Sequence, residues 1–292
     1  MISNSATSSR LLLIDGSNLF YRAFFAITEL STHDGRPTNA VYGFIRMMRQ
    51  LEREWRPSHW GVILDGGLSG ERTALLPEYK AHRPAMPEKL KAQLPLFEDY
   101  MSRAGIPFEK RAGEEADDLM ATLVRLGGVM SEILLVTSDK DFFQLATDRI
   151  GIVSPAKINA RLGPGEIQAK IGVAPEAVVD FLALTGDTVD NIVGIPGVGP
   201  KTAALWLKQW GDWEGVFTHR NELTPVWREK LESFRDRIEL NRNLIRLYDD
   251  RLPEVDWDRF RVQPESADRM LPFYEALEFE SLARPLRDRQ LF

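Results

Sequence analysis

Nine carboxylates stand where they could serve a metal: Asp15, Asp65, Glu115, Asp117, Asp118, Asp139, Asp141, Asp187 and Asp190. The densest group lies in GEEADDLMATLV, Gly113–Val124, just before an apolar stripe. Two explanations compete for that crowding. Acidic residues are favoured at a helix N-terminus by roughly 0.3–1 kcal/mol each. Carboxylates also bind hard divalent cations. Glu114 is adjacent, but nothing else in the sequence singles it out. If the nine converge, they cannot all stay ionised without counter-cations. The chain has no cysteine, so thiolate ligands and disulfides are excluded. Its four histidines, His33, His59, His82 and His219, show no paired ligand spacing. Any metal site is therefore built from oxygen, which points to magnesium or manganese.

Elements able to position these groups are visible in the pattern. Asp15 and Asp65 end the apolar runs LLLID and WGVILD, and Asp139 and Asp141 follow EILLV. Such short runs, bounded by turn residues, indicate buried parallel strands. Between them, Val41, Phe44, Ile45 and Met48 recur at helical spacing within Pro37–Trp55. Strands alternating with helices predict a parallel α/β sheet. Ligands of such sheets bind beyond the C-terminal strand ends, where Asp15, Asp65 and Asp139 all sit. In the opening stretch Ala116, Leu119, Met120, Leu123 and Val124 form a core-facing stripe. The carboxylates are then expected on the opposite side of the first turn, facing the sheet edge.

The 292 residues suit two modest domains, or one large one. A loose polar tail is expected over 1–9 and the α/β domain over 10–165. Near Pro164 a helical run begins, with helices over Pro175–Leu184, Pro200–Trp210 and Pro225–Leu247, giving a helical domain over 166–264. A less patterned segment, 265–292, has room to pack back on the α/β domain. No apolar run approaches the ~18–20 residues needed to span a bilayer, so no membrane role is expected. The N-terminus lacks the apolar centre of a signal peptide. These features fit a cytoplasmic protein. A net charge of −6, taken alone, argues against a nucleic-acid partner, but a carboxylate cluster lowers it without removing a basic surface elsewhere.

Two further segments carry binding chemistry. In GIPGVGPKTAALWL, Gly194, Gly197 and Gly199 lead through Pro200 into a helix, beside Lys201 and Thr202. Glycine permits close approach of backbone to ligand, and proline suits the first helical position. N–H groups at a helix start suit phosphate; a tight helix–helix turn explains the same residues. The spacing is not that of a nucleotide-binding P-loop. The second segment, RTALLPEYKAHRPAMPEKLK, holds Arg72, Lys80, Arg83, Lys89 and Lys91 with Tyr79 among them. Basic residues beside an aromatic suit phosphate contact and base stacking, while a charge run is commonly a solvated surface. This one directly follows Asp65.

Taken together, IDGSNLFYRAF, YKAHRP, EADDL, DKD, GD-x-x-DN and GIPGVG resemble the 5′→3′ exonuclease and flap endonuclease family, from about Leu11 to the 260s. The resemblance implies an α/β nuclease domain with a helical arch near 72–105, followed by a helix–three-turn–helix DNA-binding domain. It implies one metal cluster at Asp15, Asp65, Glu115, Asp117 and Asp118, and another at Asp139, Asp141, Asp187 and Asp190. Two or more magnesium ions, or manganese, would serve a two-metal hydrolysis of DNA. Lys80, Arg83 and Arg22 match residues that grip the reacting phosphate. Tyr79 matches an aromatic at the arch base, and Arg72 falls in the same DNA-binding segment. The glycine-rich turn matches an element that holds duplex DNA and a monovalent cation such as potassium. DNA with a 5′ end or flap beside a duplex is the implied substrate, cut by a monomer working alongside a separate DNA polymerase.

Departures from the family pattern are Ser138 before DKD, Thr188 and Val189 within GD-x-x-DN, and Val193. None removes a carboxylate, whereas some standalone paralogues have lost part of the set. Two other readings remain: a non-catalytic protein that binds branched DNA, and a metal-dependent ribonuclease of similar sheet topology. The intact acidic set weighs against the first and the glycine-rich turn against the second.

Overall fold

The computed structural model describes residues 9–290. Six strands form one sheet: β1 (Arg10–Asp15), β2 (His59–Leu64), β3 (Phe108–Lys110), β4 (Glu132–Val136), β5 (Ile150–Val153) and β6 (Arg161–Leu162). Their order is β3-β2-β1-β4-β5-β6. The first five pair in parallel, as expected; β6 runs antiparallel to β5 and makes the sheet mixed. Of the tail expected over 1–9, residues 1–8 lie outside the described residues. Ser9 is tied down, its carbonyl accepting from the Ser131 N–H at 2.9 Å.

Period-two alternation splits the strand side chains between two cores. Leu12, Ile14, Val62, Leu64, Leu134 and Val136 face one side of the sheet. Helices α1 (Gly16–Ala26) and α2 (Asn39–Trp55) cover it. Two shorter helices, α3 (Gly70–Leu75) and α4 (Glu88–Lys91), follow β2, and α5 (Leu94–Ala104) adds Phe97, Tyr100 and Met101 to that first side. The opposite side receives Leu11, Leu13, Ile63, Ile133 and Leu135 against α6 (Ala116–Leu126).

From Pro164 the chain is helical: α7 (Pro164–Ile171), α8 (Val178–Thr185), α9 (Pro200–Trp210), α10 (Trp213–Thr218), α11 (Pro225–Ser233) and α12 (Arg235–Ile245). The single helix expected over Pro225–Leu247 is broken at Phe234. The helical region has no core of its own. Phe181, Leu184, Trp206, Trp213, Ile238 and Leu244 belong to the same apolar cluster as α6 and the sheet. The C-terminal segment does return to the α/β domain. Its helices α13 (Ala267–Ala276) and α14 (Glu280–Gln290) place Met270, Phe273, Leu282 and Leu286 in the cluster of α1, α2 and α5. No helix among the described residues is long and apolar enough to cross a membrane.

The helical arch expected over 72–105 is built differently. It is divided into short α3, a turn, an irregular stretch, short α4 and α5. Pro77, Pro84 and Pro87 interrupt the early part, since proline lacks the N–H and crowds the preceding helical turn. The later part, α5, is core.

Arg72 joins these pieces. It is 1% exposed. Its guanidinium donates to both carboxylate oxygens of Asp118, at 2.6 and 2.8 Å, and to Glu115 at 3.0 Å. It also donates to the carbonyls of Leu244 and Arg246 at the end of α12, at 2.8 and 2.9 Å. Five donors therefore serve two acids and a helix C-terminus whose carbonyls would otherwise be orphaned. Arg72→Ala strips the counter-charge from Asp118, which is fully buried. Breaking such a buried pair by removing one partner costs about 3–5 kcal/mol. Urea unfolding should show a loss of that size; a loss below about 1 kcal/mol would mean the network contributes little to stability.

Candidate active site

β1 pairs with both β2 and β4, so the chain leaves it in opposite directions on its two sides. That is where a crevice opens beyond the carboxyl ends of the strands. Asp15 is the last residue of β1. One of its oxygens accepts from the Asn18 N–H at 3.0 Å, which caps α1, and the other from the Thr137 hydroxyl just beyond β4, at 2.9 Å. Asp65 follows β2 and accepts from the Ala116 N–H at 3.0 Å, so it sits against the first turn of α6. Gly66 makes this approach possible. Its N–H and carbonyl bond Glu114 and Gly113, and a Cβ there would lie 1.6 Å from the Arg111 carbonyl oxygen. Beyond β4, Asp139 accepts from the Asp141 N–H at 3.0 Å.

Asp187 and Asp190 come from the loop after α8. That loop is closed by reciprocal bonds between Asp187 and Ile192 at 2.9 and 2.7 Å. Gly194 lets the next turn lie directly on it, since a Cβ there would meet the Gly186 nitrogen at 2.4 Å. Four of the acids meet around a cleft of about 540 Å³, and Val189 brings the 187–192 loop to its rim. Asp15, Asp65, Asp117 and Asp139 line its floor, and Tyr21, Met86, Leu94, Phe97 and Val189 supply apolar wall.

The charges at this edge act on one another. Burial pushes the Asp15 carboxyl up to about 7, beyond what the Asn18 bond can offset, with Asp65 and Asp139 adding to the rise. Asp117 is raised well above the usual carboxylate range by burial and by Asp139, Asp15 and Asp65. Burial likewise raises Asp139, with Asp190 and Asp187 contributing, and Asp141, with Asp139, Asp190 and Asp187 contributing. Seven of the nine expected acids thus share one electrostatic neighbourhood.

Lys80 is the protein's own answer to that charge. Only 6% exposed, its ammonium lies 3.0 Å from Glu115, 3.9 Å from Asp190 and 4.0 Å from Asp117. Burial alone would lower its pKa; Asp117, Asp190 and Glu115 outweigh burial and raise it. Arg83 lines the cleft and pairs with Asp190 at 2.7 Å. Glu115 joins the group through Lys80.

Several expected roles change. Asp118 is turned away from the cleft and spent on Arg72 and the Tyr248 N–H. Arg72, expected on DNA, is buried in that network. Tyr79, expected as a stacking platform, is 3% exposed and donates its hydroxyl to Glu115 at 3.3 Å. Arg22 lies on the exposed face of α1, one residue past Tyr21, and is not among the side chains lining the cleft. Gly194, Gly197, Gly199, Lys201 and Thr202 form the turn into α9, apart from the cleft, with Pro200 at the first helical position. Sequence reasoning missed Ser17, Asn18, Tyr21 and Lys110, which also line the cleft. The first three sit directly behind Asp15, and that adjacency was the available signal.

The donor set is all hard oxygen, with more negative charge than Lys80 and Arg83 can balance, so its chemistry fits divalent cations. As they stand, no three or more His, Asp or Glu side chains among the described residues are disposed to hold one ion.

Residues 10–172 match the family described as 5′-3′ exonuclease, N-terminal resolvase-like domain, and residues 173–268 match its C-terminal SAM fold. A 5′-3′ exonuclease of Aquifex aeolicus is 34% identical over 276 residues, 94% of each chain. The thermostable DNA polymerase I of Thermus thermophilus is 36% identical over 274 residues, which span 94% of this chain and 32% of the polymerase. The chain thus covers nearly all of the first relative and about a third of the second. Among solved structures, the T5 5′-exonuclease with divalent zinc ions bound superposes with a TM-score of 0.68 at 22% identity, covering 81% of this chain and 89% of that one.

With its pKa raised from 3.8 to about 7, Asp15 favours the fold when protonated. Its contribution to cation-free stability is complete below about pH 4 and lost as the pH rises through about 7. A divalent cation that binds the ionised cluster offsets this loss. Magnesium should therefore raise the melting temperature more at about pH 8 than at about pH 5.5. Equal melting with and without magnesium at both values would show that these carboxylates hold no cation.

Proposed function

The chain belongs to the 5′-3′ exonuclease family, and from that premise we propose that it is a structure-specific 5′ nuclease that hydrolyses DNA at a 5′ end or at a 5′ flap beside a duplex. The observation that carries this reading is the gathering of Asp15, Asp65, Asp117 and Asp139, from four separate segments, around one cleft that Arg83 also lines, with the Lys80 ammonium 4.0 Å from Asp117.

Divalent magnesium or manganese, held by Asp15, Asp65, Glu115 and Asp117 and by Asp139, Asp141, Asp187 and Asp190, would polarise the phosphate and lower the pKa of water. The chain's own groups do the rest. Lys80 and Arg83 offset charge that builds on the phosphate as water adds to phosphorus and the 3′ oxygen leaves, giving a 5′-phosphate product. Arg22, on the exposed face of α1 beside Tyr21, meets the strand before it enters the cleft. The apolar wall of Tyr21, Met86 and Phe97 shields the reacting centre from bulk water. Lys201, Thr202 and the N–H groups at the start of α9 hold the duplex by its backbone, so recognition is of shape rather than base sequence. A monovalent cation at this turn would bind the remaining carbonyls, because that of Pro196 already accepts from the Lys230 ammonium at 2.6 Å. The enzyme acts as a cytoplasmic monomer, on DNA supplied in replication or repair by a separate polymerase.

A 5′-labelled DNA flap should be cut near its junction with magnesium and remain whole with EDTA. Asp117→Asn should slow cutting by about a hundredfold or more. Binding should weaken steeply with salt. Binding without cutting, unchanged by Asp117→Asn, would instead identify a non-catalytic binder of branched DNA. Preferential cutting of a matched RNA flap would identify a ribonuclease.

A further inference from the structure

Two residues other than glycine adopt left-handed backbone where the segment after α3 meets the helical region: Lys80, at φ 56°, and Asn191, at φ 59°. They face each other across that junction. The Lys80 N–H donates to the Asp190 carbonyl at 3.2 Å, and the Asn191 side-chain amide donates to the Glu78 carbonyl at 3.0 Å. One bond runs in each direction, so the 78–80 turn and the 190–191 turn are stitched together.

Left-handed backbone is strained for a lysine and persists only where its surroundings impose it. Asparagine, after glycine, tolerates it best. Asn191 is itself anchored, because the reciprocal bonds between Asp187 and Ile192 close the loop that carries it. The strained residue is the one whose ammonium reaches Glu115, Asp117 and Asp190 together. In a right-handed or extended conformation the Lys80 Cβ would leave its Cα along a different direction, and the side chain would lose that aim.

We propose that Asn191 is a positioning residue for Lys80. Its amide grips the Glu78 carbonyl and holds the 78–80 turn in the conformation that presents the Lys80 ammonium to the reacting phosphate. This role rests on the DNA-cleaving reading above. It also makes the site dependent on the helical region, since the grip comes from the loop that leads directly into the glycine-rich turn.

Asn191→Gly tests it, because glycine keeps the left-handed backbone and removes only the amide. Single-turnover cleavage of a 5′-flap DNA at saturating magnesium should fall at least about tenfold. Affinity for the same flap in calcium should stay within about twofold. Combined with Lys80→Ala, Asn191→Gly should slow cleavage by less than about twofold further, because its effect passes through Lys80. A wild-type rate for Asn191→Gly, or equal slowing in both backgrounds, would overturn the proposal. Amine-selective labelling read by mass spectrometry provides a measure independent of cleavage. Labelling of Lys80 should rise at least about fivefold in Asn191→Gly while other lysines hold steady, and unchanged labelling would overturn the proposal. If the unsubstituted protein cuts no flap, the nuclease reading fails and the labelling still decides whether Asn191 positions Lys80.

Discussion

Repulsion among carboxylates at the ends of β1, β2 and β4 is the interaction around which the rest of the site is arranged. The parallel sheet supplies the geometry: three adjacent strands finish at one edge, and two of them carry an aspartate into it. Nothing in strand pairing requires acids there. Each is secured by a bond that leaves it facing its neighbours, as Asp15 is by Asn18 and Thr137 and Asp65 by Ala116. Burial pushes the Asp15 carboxyl up to about 7, and repulsion from Asp65 and Asp139, strengthened in the low-dielectric setting, adds to the rise. An arrangement that destabilises the resting protein is the kind of strain found at functional sites and compensated elsewhere.

Compensation comes from the cores. The sheet buries apolar side chains on both faces, and the helical region extends one of these cores without a boundary between them. The loop bearing Asp187 and Asp190 is therefore fixed by the same packing that fixes α6 and Asp117. Arg72 reinforces the junction, bonding acids of α6 and carbonyls at the end of α12. A domain border drawn by composition is thus not a mechanical border. Across it, Asp187 and Asp190 act on Asp139 and Asp141.

The strand-end acids were legible because a buried parallel strand has a plain signature and its C-terminal residue has a known place. Helix α9 was legible to the residue, because Pro200 opens it and Gly211 ends it. Asp118 lies away from its expected place for a definite reason. At about 100° per residue it lies opposite the apolar stripe of α6, a position usually open to solvent or a site. Here α3 and α12 cover that face, and a covered acid needs a partner, which is Arg72. Asp117, one step around the helix, borders the stripe and so reaches the cleft. The covering is set by contacts 130 residues apart, such as that from Tyr248 to Asp118, which no local pattern records. Strands β3, β5 and β6 escaped because they have two to four residues each, too few for a period to show.

Three basic side chains stand close together in sequence and differ in what burial has done to them. Arg72 is fully enclosed, with every donor directed at fixed acceptors, and is part of the scaffold. Lys80 is nearly enclosed, yet its ammonium answers to three acids, one of which, Asp117, lines the cleft. Arg83 is exposed and pairs with Asp190 alone. Guanidinium suits the first position, where its planar fork meets carboxylate and carbonyls at once; a compact ammonium on a flexible stem suits the second. A charge run that reads as one basic surface is therefore graded by depth. A phosphate entering this cleft adds negative charge where acids already exceed cations, so it is admitted only by groups that can redirect their charge toward it. Arg72 cannot do so without releasing Asp118. Under the proposed reading Lys80 and Arg83 can, because Asp117, which Lys80 serves, lines the cleft and Arg83 lines it directly.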